Sequence, residues 1–95
     1  MDIRIERMAR LLVEYSVNVQ PGDRVAITSS PEAADLVRAV YENVLLRRGY
    51  PLLDIGLSGI EEIFYRAAND VQLVYVDPVR KMVIEEFDAL ISIRA

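Results

Sequence analysis

Pro21-Gly22-Asp23-Arg24-Val25-Ala26-Ile27-Thr28-Ser29-Ser30-Pro31-Glu32 holds a turn, a short apolar run and a helix start in immediate succession. Pro-Gly-Asp punctuates the chain and turns it. Arg24 to Thr28 is short, apolar at its centre and bounded by turn residues, the pattern of a buried strand. Ser30 can cap a helix, Pro31 suits the first helical position, and Glu32 lies in the positive first turn. A strand that hands over directly to a helix is the opening half of a parallel β-α-β unit.

Reading outward confirms the alternation. The helix after Pro31 carries Ala33, Leu36, Val37, Val40, Tyr41, Val44 and Leu45 on one face. Arg47 and Arg48 complement the negative end of its dipole, and Gly49 is placed to end it in a left-handed conformation. Tyr50 to Gly56 follows as a second strand, with Pro51 near its start, where no ladder bond is lost. Ser58-Gly59-Ile60-Glu61 fits a capping box, which predicts a helix over about 59–69 that buries Ile60, Ile63, Phe64 and Ala67. Asp70 is placed to cap a further turn through 71–76. Asp77-Pro78 starts a last helix that ends near Glu86. Residues 88–93 form a third strand. Before the opening turn, Ile5, Met8, Leu12, Tyr15 and Val19 recur at three- and four-residue steps, an amphipathic helix capped by Asp2. Tyr15, Tyr41, Tyr65 and Tyr75 are predicted to pack at the rim of the core.

Strands alternating with helices require right-handed crossovers and a parallel sheet covered on both faces. The expected fold is therefore α/β, a three-layer α/β/α arrangement with a short parallel sheet in the order 2-1-3. That is half of a Rossmann- or flavodoxin-like domain. Residues 1–95 read as a single domain with no linker or repeat. The chain stops two residues after the third strand, so it is expected to be truncated there, with one sheet edge left to be completed.

Composition narrows the chemistry. With 53% hydrophobic and 27% charged residues, neither a disordered tail nor a membrane span is expected. No secretory leader is recognisable at the start, and a cytoplasmic location is expected. Eleven basic residues face fifteen acidic ones, for a net charge of -4, and the basic residues are dispersed. Nucleic-acid binding needs clustered cations, so no nucleic acid and no membrane is expected as a partner. Ten of the basic residues are Arg, and Asn and Gln total only five, a bias seen in thermophiles and also produced by genome composition. The chain contains no Cys and no His. Disulfides, the usual zinc spacings and Cys/His or Ser/His nucleophile pairs are thereby excluded.

Three stretches invite a functional reading. Thr28 to Glu32 lies at the carboxyl end of the first strand, where open parallel sheets bind ligands, and offers hydroxyls and a helix start to an anion. Helix capping alone accounts for those residue types, and no phosphate-binding glycine motif is present. Glu61-Glu62 and Glu85-Glu86 are neighbours on helices, about 100° apart, and do not converge on one ion. Solvated helix faces account for both pairs. No catalytic, cofactor-binding or metal-binding residue is assigned among residues 1–95.

Arg4-Ile5-Glu6, Leu11-Leu12-Val13, Tyr15-Ser16 and Val19-Gln20-Pro21-Gly22-Asp23-Arg24-Val25 together resemble the opening of the thermophilic metalloaminopeptidases, the aminopeptidase T and aminopeptidase S group. Arg48-Gly49-Tyr50-Pro51, Gln72-Leu73-Val74-Tyr75-Val76-Asp77-Pro78 and Asp88-Ala89-Leu90-Ile91-Ser92-Ile93-Arg94-Ala95 extend the resemblance over essentially the whole chain. It implies an exopeptidase that removes N-terminal residues of peptides with two divalent metal ions, whether zinc, cobalt or magnesium. It further implies a homodimer, and a C-terminal domain of the same chain that carries the metal ligands and the catalytic glutamate. None of those motifs has a counterpart here, so the resemblance is to the N-terminal domain and implies no activity for these residues alone. The alternative is a stand-alone small α/β module that works by protein association or small-molecule binding.

Overall fold

The computed structural model describes residues 2–94; Met1 and Ala95, the limits of the expected domain, lie outside the described residues. The elements in order are α1 (Ile3–Arg10), a π-helical segment (Leu11–Ser16), β1 (Arg24–Ser29), a 3-10 turn (Pro31–Ala33) and α2 (Ala34–Leu46). They continue with β2 (Tyr50–Ile55), α3 (Ile60–Ala67), α4 (Asp70–Leu73), α5 (Pro78–Glu86) and β3 (Ala89–Ser92). The three strands are parallel in the order β2-β1-β3, as expected. Val25 and Ile27 of the central strand stand beside Pro51 and Leu53 on one side and Ala89 and Ile91 on the other.

The core lies on one face of this sheet. Val25, Ile27, Ile91 and Ile93 meet Ala9, Val13 and Val19 from the N-terminal segment and Val37, Ala39, Val40 and Val44 from α2. Alternation along β1 sends Ala26 and Thr28 to the opposite face. There α5 stands over the sheet with an open cleft of about 600 Å³ between them. Arg24 ties the end of α5 to the start of β1. Its guanidinium donates to the Glu86 carbonyl and lies 5.4 Å from the Phe87 ring centre. Its amide donates to Asp88 Oδ2 at 2.8 Å.

The first helix begins as expected, with Asp2 Oδ1 accepting the Arg4 amide at 2.8 Å. Its buried stripe is different. Ala9 and Val13 are buried with Ile5, Leu12 and Val17 beside them, whereas Met8 and Tyr15 are 52% and 74% exposed. Ala9 presents no bulk where α1 crosses α2, and the wider π turn after Arg10 shifts the phase of everything beyond it. The Val19 amide then bonds to the Val13 carbonyl at 2.9 Å, which sets the chain into the Pro21-Gly22 turn.

The end of α2 corrects the expectation for Gly49. The left-handed residue is Arg48, at φ 63°. Gly49 is buried one position later, and a Cβ there would stand 2.9 Å from Val44 Cγ1 and 3.0 Å from Val19 Cγ1. This glycine admits a close approach between α2 and the turn before β1. Arg47 covers the junction, donating from Nε to the Val19 carbonyl at 3.0 Å.

The crossover from β2 to β3 departs most from expectation. Gly59, at φ 87°, is the cap of α3 without any side-chain capping bond, so Ser58 and Glu61 form no capping box. The box occurs at α4 instead, where Asn69 Oδ1 accepts the Gln72 amide at 2.9 Å and Gln72 Oε1 accepts the Asn69 amide at 3.0 Å. Asn69, not Asp70, is therefore the cap. Ile60, Ile63, Phe64 and Ala67 are not buried, and Tyr41, Tyr65 and Tyr75 join Tyr15 among the exposed aromatics. Their amphipathic pattern lacks an opposing surface, because α3 and α4 form an arm that projects from the sheet. The radius of gyration of 15.2 Å records that projection; a compact chain of this length would have about 12–13 Å.

Candidate functional site

The carboxyl ends of parallel strands are where the topology gathers polar groups. Here they bring together Thr28, Ser29, Asp54 and Ser92. Thr28 Oγ1 donates to Ser92 Oγ at 3.2 Å across the β1-β3 pair. Ser29 Oγ donates to the Ser30 carbonyl at 3.1 Å.

The loop weighed as an anion site against helix capping carries a carboxylate of its own, Glu32. Ser30 has extended backbone and makes no capping bond with its hydroxyl, which corrects its assignment as a helix cap. The Glu32 amide and then the Ser30 hydroxyl donate to the Glu32 carboxylate and hold it below its ordinary range. A carboxylate stabilised in the folded state contributes stability above its unfolded pKa and loses it as pH falls through the lower folded value. Replacing Ser30→Ala is expected to move the Glu32 midpoint, followed by carboxyl carbon shifts in NMR, back up toward the ordinary glutamate value. An unmoved midpoint would show that the amide alone holds the charge.

The cleft under α5 is a second candidate. Ala26, Leu52 and Leu90 line it from the sheet, and Val79 and Val83 of α5 line it together with Phe87 just past the helix end. The spacing of Val79, Val83 and Phe87 is a helical stripe present in the sequence, and it could have marked this side of α5. At the polar end Arg80 Nη2 is 3.9 Å from Asp54 Oδ2. Both side chains are largely exposed, so this pair contributes little to stability.

Several carboxylates of the domain have other partners than a metal. Asp77 Oδ1 accepts the Val79 amide at 2.9 Å and so caps α5. Asp88 holds the Arg24 amide, and Asp54 faces Arg80. Glu85 pairs with Lys81 at 3.9 Å along the helix, and Glu61 and Glu62 lie on the exposed surface of α3. Hard cations need several oxygens converging from more than one element. Among the described residues no group of three or more His, Cys, Asp or Glu is placed to hold an ion. The residues present therefore do not fit a two-metal centre. No helix among the described residues is long and apolar enough to cross a membrane.

Fold and site together define an open parallel α/β domain whose surfaces are more developed than its chemistry. A family model described as thermophilic metalloprotease (M29) matches residues 1–95. The chain belongs to that family, a family of metal-dependent hydrolases of peptide bonds. No curated protein matches it.

Proposed function

We propose that residues 1–95 are the N-terminal, non-catalytic domain of a metal-dependent aminopeptidase, an exopeptidase that releases N-terminal amino acids from peptides. The match of the M29 family model along the full length carries this reading. The stretches quoted above, which resemble the aminopeptidase T and S group in order and spacing, support its exopeptidase part.

In this proposal the catalytic groups and two divalent ions, zinc, cobalt or magnesium, belong to a C-terminal domain of the same chain. Histidine, absent from residues 1–95, is expected there. The whole enzyme acts on peptides in the cytoplasm as a homodimer. The contribution of residues 1–95 is surface. The sheet is packed on one side, while Leu57, Ile60, Phe64, Leu73 and Tyr75 of the arm and its flanks are exposed. Covering apolar surface releases about 25 cal/mol per Å², so these side chains favour contact with the rest of the enzyme. The same exposure favours the second reading, a module that acts by association.

The coding frame beyond position 95 separates the two. A frame that continues into histidines and carboxylates, and whose full product hydrolyses aminoacyl substrates only with divalent metal, is the expected result. A natural stop codon directly after position 95 in an expressed gene would overturn the proposal and leave the association module.

A further inference from the structure

We draw no further inference here: the strongest candidate, the apolar surface formed by the α3–α4 arm and the cleft between α5 and the open sheet face, carries nothing because nothing in the structure shows what covers it.

Discussion

Ile27→Ala is expected to remove about 2–5 kcal/mol of stability, the range for deleting a large aliphatic side chain from a packed core. Ile27 is the largest fully buried side chain among the described residues and sits in the middle of the central strand. Beside it lie Ile91 of β3 and the valines of α2. The cavity cannot be filled by collapse, because β1 is held by hydrogen-bonded neighbours on both edges. Chains of this length have about 5–14 kcal/mol in total at 0.05–0.15 kcal/mol per residue, so the loss is a large share. Urea unfolding followed by far-UV circular dichroism should show the midpoint falling by about 0.7–5 M, given slopes near 1–3 kcal/mol per M. Leu46→Ala, at a side chain 71% exposed, should leave it nearly unchanged. Equal effects at the two positions would contradict a core confined to the α1-α2 face.

Gly49→Val should cost about 3 kcal/mol, the upper part of the range for overpacking. The first added carbon already meets Val44, Val19 and, at 3.3 Å, the Asp23 carbonyl. Two of those partners are themselves fully buried and have nowhere to move. One position earlier the sign reverses. Arg48→Gly relieves a left-handed backbone that costs a side-chain-bearing residue about 1–2 kcal/mol, so it should raise the midpoint. Gly49→Asn discriminates further. Asparagine tolerates left-handed backbone and would be accepted at a helix-terminating glycine, but here its Cβ meets the same Val44, Val19 and Asp23 atoms as that of valine and should likewise destabilise. A well-tolerated asparagine would assign Gly49 to the helix end after all.

The sheet order was legible because β1, β2 and β3 announce themselves locally. Each is a short apolar run between turn residues, and the helices between them force parallel pairing. Asp2 and Asp77 were legible as caps for the same reason, since a capping bond needs only two or three neighbouring residues. Local rules failed where several neighbouring residues could cap, at Ser58, Asp70 and Ser30, and the other failures involve partners distant in sequence. Tyr15 and Phe64 have the spacing of buried residues, but burial requires a surface opposite, and periodicity carries no information about that. Gly49 was identified as special for the wrong reason, because its close contacts with Val19 and Val44 are tertiary. Ser30 has the residue type and position of a cap, but only the geometry shows that its hydroxyl takes no amide. The exclusion of imidazole and thiol chemistry needed composition alone. The family resemblance rested on the order and spacing of short stretches, and the whole-chain M29 match supports it.

The most direct test of the central claim is hydrolysis of an aminoacyl chromogenic substrate by the purified 95-residue chain. Zinc, cobalt and magnesium are supplied in turn, and whatever product the reading frame encodes beyond position 95 is assayed in parallel. A folded 95-residue chain that gives no turnover above the metal blank, beside metal-dependent turnover by the full-length enzyme of the proposal, is the predicted result. Metal-dependent, saturable turnover by the 95-residue chain alone would contradict it.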